Sequence, residues 1–357
     1  MKLPAFDVPI VLAPMGGVAT VDLVVAVAEA GGFPILPGAY LTPEQIVEQA
    51  AAVRRATRKP FGINLFVEHP PYAADPDVIA HVHARLGAFR GELGIEQPAV
   101  TATPPDRYAA QIDAVIEARP DAFTFTFGIP DARTLARFEA AGTFTMGTAT
   151  TVDEALALAD ACVDGVFAQG SEAGAHRGTF LAPVADSLVG TLALVPQVVD
   201  AVRLPVFAAG GIGDGRGVAA VLALGATAAA VGTSFLLAHE SGIAPAYRAV
   251  LKSARVRATV LTRTFSGRTA RGVANRVTQM LRDPEDVAPY PFHNAMTRDI
   301  RNAAAQAGNA EYLSLWAGQA ASLAREAPAG EIVRALMEEA RRARDAIRLD
   351  GPRSGPA

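Results

Sequence analysis

Of the six histidines in this 357-residue chain, one stands where proton chemistry is easily arranged. The run AQGSEAGAHRGTF, residues 168–180, gathers Gln169, Ser171, Glu172, His176 and Arg177 among Gly170, Gly174 and Gly178, directly after a short apolar run. Glycine at that density releases the backbone from helix and strand, so the loop is expected to be irregular and shaped around a site. An imidazole there, with an ordinary pKa of about 6.5, can take or give a proton.

A second chemistry rests on bare backbone. PVFAAGGIGDGRGVAA sets Gly210, Gly211, Gly213 and Gly215 between a strand pattern and a helix pattern, and AAAVGTSFL closes another strand with Gly232 and Thr233. Without a Cβ, backbone N–H groups can approach a phosphate, and the helix N-terminus that follows is expected to add partial positive charge. The spacing matches neither G-x-G-x-x-G nor a P-loop, so a single phosphate site is expected rather than a dinucleotide site. Asn64 interrupts the apolar run PFGINLFV, Gln169 ends another, and APMGG supplies Pro14, Met15 and exposed backbone. A buried amide needs a partner, in the protein or on a heterocycle. Together these features suit a flat heterocycle with a phosphate tail.

Other reactive residue types read as structural. His81 and His83, two apart on a helix, point away from each other and are expected at the surface rather than on a metal. His69 falls in a loop after a strand, and His239 and His293 have no partner pattern. Cys162, the only cysteine, is expected to be small buried packing; it excludes intramolecular disulfides and a cysteine-built zinc site, and no metal is expected. Arg263, Arg268, Arg271 and Arg276 read as a solvated or salt-bridged surface run.

The elements that must position these residues alternate along the chain. Strand patterns cover Ile10–Met15, Pro34–Pro37, Phe61–Val67, Ala122–Gly128, Thr143–Thr148, Gly165–Gly170, Pro205–Gly211 and Ala228–Leu236, separated by helix patterns that often stop at Gly. Eight strands with intervening helices predict a (β/α)8 TIM barrel over residues 1–254 with a helical C-terminal extension over 255–348 and a flexible tail at 349–357. Half the residues are hydrophobic and mean hydropathy is +0.23, enough for a large core. A net charge of −4 favours neither nucleic acid nor an anionic membrane. The charge-free stretch 217–238 contains too many Gly, Thr and Ser residues for a membrane span, and the N-terminus shows no signal-peptide pattern, so a reducing cytoplasm is expected.

The stretches APMGG, PFGINLFV, FTFGIP, QGSEAGAHRG, AAGGIGDGRGVAAVLALGA, VGTSFL, TRTFSGRTARGVANR and LWAGQAASLAREAPAGEIV resemble the nitronate monooxygenase (2-nitropropane dioxygenase) family, class I. The middle stretches are also similar to flavin-dependent enoyl-acyl-carrier-protein and NADH:quinone reductases. The resemblance implies an FMN enzyme that converts alkyl nitronates of the propionate 3-nitronate type, with O2, to a carbonyl compound and nitrite or nitrate. It places FMN against Ala13, Pro14, Met15, Asn64, Gln169 and Gly174, with Gly210, Gly211, Ala230, Val231, Gly232 and Thr233 at the phosphate end. It makes His176 the catalytic residue. Where the family reads EAGGHRG this chain has Ala175, which would be strained if the position needs a positive φ. An NAD(P)H-dependent flavin reductase and a non-catalytic FMN-binding barrel are the alternatives. A small-molecule substrate and O2 are the implied partners, for a monomer or homodimer.

Overall fold

The computed structural model describes residues 1–67, 72–100 and 106–348. Eight parallel strands close a ring: β1 (Ile10–Leu12), β2 (Phe33–Pro37), β3 (Gly62–Phe66), β4 (Ala122–Thr126), β5 (Phe144–Ala149), β6 (Gly165–Gln169), β8 (Val206–Ala209) and β9 (Ala228–Val231). Closure occurs at β1, where Val11 lies opposite Phe33 on one side and Ala230 on the other. All eight strands expected from the sequence are present, and the chain folds as the expected barrel. The first and last end earlier than the apolar patterns do. Pro14 has no N–H for a ladder, and after Val231 the chain turns into a single 3-10 turn at Thr233–Phe235.

Period-two alternation sorts the barrel into two layers. Val11, Phe33, Phe144, Phe167 and Phe207 point inward and fill the barrel, while Leu12, Ile63, Phe123, Val166 and Val231 point outward against the helices. Burying each Phe contributes about 1.5–3 kcal/mol relative to exposure. Toward the C-terminal mouth the inward positions turn polar, at Asn64, Thr124, Thr126, Thr148 and Gln169.

Helices α1 (Val21–Glu29), α2 (Pro43–Ala56), α3 (Pro76–Leu93), α4 (Tyr108–Ala118), α5 (Ala132–Ala140), α6 (Val152–Asp160), α7 (Thr191–Ala201) and α8 (Gly215–Ala223) follow the strands. Several start on side-chain caps: Thr20, Thr42, Asp131 and Thr151 each accept from an N–H in the first turn. Helix α4 packs beside α2, whereas α3 joins a second apolar cluster over the barrel mouth.

That cluster is built on the segment after β9, which contains α9 (Pro245–Leu251), β10 (Thr259–Thr262), β11 (Ala270–Val273), α10 (Arg276–Met280), α11 (Phe292–Met296) and α12 (Arg298–Gln306). The extension is therefore not purely helical, because β10 and β11 pair antiparallel. The same sheet recruits β7 (Ala175–His176), with Ala270 opposite His176. The last helix, α13 (Ala329–Ala346), lies against α8 and α1, the place of an eighth barrel helix. Its packing joins it to the barrel across the boundary drawn at residue 254. The tail expected at 349–357 lies outside the described residues. Among the described residues no helix is long and apolar enough to cross a membrane, and 217–238 comprises most of α8, β9 and the 3-10 turn.

Candidate active site

A cavity of about 590 Å³ opens at the C-terminal mouth. Of the thirteen residues expected in the site, twelve line it: Ala13, Pro14, Met15, Asn64, Gln169, Gly174, His176, Gly210, Gly211, Ala230, Gly232 and Thr233. Val231 does not, because alternation along β9 turns its side chain out to the helix layer.

His176 stands on β7 at the cavity wall, its Nε2 2.8 Å from Ser266 Oγ. Phe66 and Phe127 meet its ring edge-on, and Trp316 lies tilted 5.7 Å away. Protein encloses the imidazole except for the part that faces the cavity. Burial, with the nearby positive charges of Arg268 and Arg301, drives its pKa down to about 3 and keeps it neutral.

The loop around it is not irregular throughout, as the glycine count predicted. Its glycines serve close approach: a Cβ on Gly174 would lie 2.6 Å from the Gly318 nitrogen, and one on Gly178 2.7 Å from Thr148 Cγ2. The positive φ falls instead on Ala175, at +61°. Gln169 secures the loop, donating from Nε2 to the His176 carbonyl at 3.0 Å and accepting at Oε1 from Gly178 N–H at 2.8 Å. Asn64 is freer. Its Nδ2 donates to Thr124 Oγ1 at 3.0 Å, and no protein donor among the described residues reaches its Oδ1.

At the glycine end, Gly210 and Gly211 adopt φ of +105° and +71°. The backbone N–H groups of Gly211, Gly232 and Thr233 find no acceptor within the described protein. Thr233 Oγ1 accepts from Gly318 N–H, leaving its hydroxyl proton free to donate. The expectation that α8 would present its N-terminus to the phosphate fails. Asp214 caps Arg216 N–H, and Glu339 accepts from Gly215 N–H, so that helix end is already neutralised by carboxylates. A bare backbone cradle of N–H donors remains, and Asn64 lines the same cavity. The residues present fit FMN.

The sequence profile of nitronate monooxygenase matches residues 2–339. The chain belongs to the nitronate monooxygenase family. A relative named "Probable nitronate monooxygenase" from Staphylococcus aureus (strain Newman) is 39% identical over 341 residues, spanning 95% of this chain and 96% of the relative. A crystal structure of nitroalkane oxidase from Streptomyces ansochromogenes matches with TM-score 0.90 and 39% identity, covering 96% of this chain and 98% of that one. FabK from Thermotoga maritima matches with TM-score 0.74 and 27% identity, covering 95% and 94%. The protein is thus an oxidoreductase of the nitronate monooxygenase family.

Several residues of this family member escaped the sequence reading. Arg268 and Arg271 are not surface charges. Arg268 lies 3.8 Å over the Phe127 ring and donates to the Thr179 carbonyl, and Arg271, 8% exposed, donates to the Ser171 carbonyl. Of the arginine run, Arg276 does form the expected surface pair, with Glu92. Ser266 and Trp316 reach the cavity from the segment after β9, and Arg298, Arg301 and Asn294 also line it. Arg301 is held by the Asn294 carbonyl at 2.8 Å. Phe127, packed on His176, has a φ of +80°, a conformation bulky residues rarely adopt.

Elsewhere, Cys162 is exposed rather than buried, because it occupies the left-handed position after α6. His293 is fully buried, with Nε2 2.8 Å from the Thr264 carbonyl and Nδ1 accepting from Ala288 N–H. His81 contacts Asp286 and His83 contacts Gln97, both near the surface. His69 lies outside the described residues.

Proposed function

We propose that the protein is an FMN-dependent nitronate monooxygenase that oxidises alkyl nitronates with O2. The observation that carries this reading is one cavity with three parts: a cradle of unpaired backbone N–H groups, a neutral histidine and two lining arginines. Gly211, Gly232 and Thr233 would hold the FMN phosphate through N–H groups, while Met15 and Asn64 would face the ring system. Bound there, FMN supplies the electron-accepting chemistry.

The chain's own residues do the rest. Arg298 and Arg301, both lining the cavity, favour an anionic substrate. Phe66, Phe127 and Trp316 exclude water from the imidazole and strengthen every electrostatic contact within the cavity. His176 stands where it can either donate a hydrogen bond to an anionic nitro group or take the α-proton of a neutral nitroalkane. The likeness to nitroalkane oxidase and to Probable nitronate monooxygenase supports the same chemistry.

Purified yellow protein is the test. Heat-released flavin is expected to be FMN, and propionate 3-nitronate should elicit oxygen uptake. NAD(P)H oxidation without nitronate would replace this reading with that of a reductase, as would recovery of FAD for the cofactor assignment.

A further inference from the structure

The hydroxyl of Ser266 has three neighbours and only one proton to give. His176 Nε2 lies 2.8 Å from its oxygen, the Arg268 carbonyl 3.1 Å and the Arg268 N–H nitrogen 3.3 Å. An alcohol donates once and accepts twice. The Arg268 carbonyl has no other donor among the described residues, so it claims the Ser266 proton. The two remaining neighbours must then both be donors. Arg268 N–H is one, and His176 Nε2 is the other.

We propose that Ser266 is a positioning residue that fixes His176 as the Nε2–H tautomer, leaving Nδ1 as the proton acceptor for a carbon acid bound in the cavity. Among the described residues Nδ1 makes no hydrogen bond to protein, and it is not sealed from the cavity. The alternative proton arrangement sends the Ser266 proton to Nε2, strips the Arg268 carbonyl of its donor and turns Nδ1–H toward the substrate. That arrangement would make His176 a donor to a nitro oxygen; the proposed one makes it an acceptor.

The consequence is a choice between the two roles open to His176. With Nε2–H committed to Ser266, the imidazole offers a lone pair and no proton to the cavity. It can accept the α-proton of a neutral nitroalkane: the C–H bond breaks, the Nδ1–H bond forms, and the electron pair moves onto the nitro group. The products are imidazolium and nitronate, so the net charge of the cavity is unchanged. This rests on the reading of the cavity as a nitro-compound site, but the tautomer itself does not.

Nitrogen-15 NMR of histidine-labelled holoprotein reads the tautomer directly, with the His176 signals identified by their loss in His176→Asn. The expected result is a protonated Nε2 and a pyridine-type Nδ1 in the native protein. In Ser266→Ala the two forms should mix, and Ser266→Thr, which restores a hydroxyl, should return the native pattern. A protonated Nδ1 in the native protein overturns the proposal, and so does a native pattern that survives Ser266→Ala. If the tautomer is as expected but no nitro compound is turned over, the tautomer assignment stands and the functional reading falls. As a second readout, kcat/KM for a neutral nitroalkane should fall about tenfold in Ser266→Ala, the usual scale for one lost hydrogen bond, and recover in Ser266→Thr.

Discussion

Ala175 lies opposite Arg271 in a two-residue antiparallel ladder while holding a φ of +61°. The position does require the left-handed conformation that glycine supplies without strain, and the ladder holds alanine in it. His176, the next residue, still reaches both Ser266 and the cavity. The departure from the family's EAGGHRG therefore costs stability more than geometry.

Ala175→Gly should stabilise the protein modestly. Relief of left-handed strain is worth about 1–2 kcal/mol, and the greater freedom of glycine in the unfolded chain returns about 0.4–1 kcal/mol of that. A net gain of up to about 1.6 kcal/mol should appear as a higher urea midpoint at unchanged m-value. A lower midpoint would show that the ladder tolerates Ala175 without strain.

Gly232→Val separates the cradle from the fold better than Gly211→Val does. Gly232 has a φ of −111°, and a Cβ there would lie 3.4 Å from Met15 Sδ, so the backbone need not move. The branched side chain would fill the space where a phosphate approaches. The variant should fold with little change in circular dichroism and emerge with little flavin. Gly211 has a φ of +71°, so its valine variant should also lose stability. Full FMN occupancy in folded Gly232→Val would move the phosphate elsewhere.

The barrel was legible because its strands are short apolar runs closed by turn signals, and Asn64 was legible because a lone amide stands out in PFGINLFV. Val231 was expected at the site only through the family resemblance; period-two alternation along β9 turns its side chain to the helices, while Ala230 lines the cavity. Ser266, Arg268 and Trp316 lie in stretches that carried the resemblance, but nothing local placed them at the cavity. They belong to a segment with its own sheet and apolar cluster, and only tertiary folding brings them over a histidine far earlier in the chain, 90 residues before Ser266. The helix end of α8 misled for a related reason, since Glu339 arrives from the far end of the chain.

Arg298→Ala should weaken anionic substrates selectively. The side chain lines the cavity, is exposed and forms no ion pair among the described residues, so removing it disturbs little else. KM for a nitronate should rise several-fold at low salt, with the difference shrinking as ionic strength increases. A neutral nitroalkane should show almost no change in KM. Equal effects on both would mean that Arg298 shapes the cavity without acting through its charge.

Two buried imidazoles make stability depend on pH. Burial lowers the pKa of His176 to about 3 and that of His293 to about 4, against about 6.5 in the unfolded chain. Between these values the unfolded state binds more protons, so folding stability falls as pH falls from 6.5 toward 3 and is fully present above 6.5. Thermal midpoints should drop across that window. His176→Asn should make the decline shallower while His293 preserves the remainder, and an unchanged slope would mean that His176 titrates alike in both states.

The same substitution tests the role of His176 on the substrate. A neutral nitroalkane must lose its α-proton, and a positioned base contributes about 10²–10⁴-fold to such a step. His176→Asn should therefore lower kcat/KM for nitroalkane by that range. A nitronate has already lost the proton, and in the proposed tautomer the Nε2–H of His176 is turned to Ser266, 2.8 Å away, rather than to the cavity. Its oxidation should change little. The retained flavin spectrum serves as the control that the cavity is intact. Equal losses on both substrates would argue that the imidazole contacts the nitro group in either form, with Nδ1 protonated, and would contradict the tautomer that Ser266 imposes.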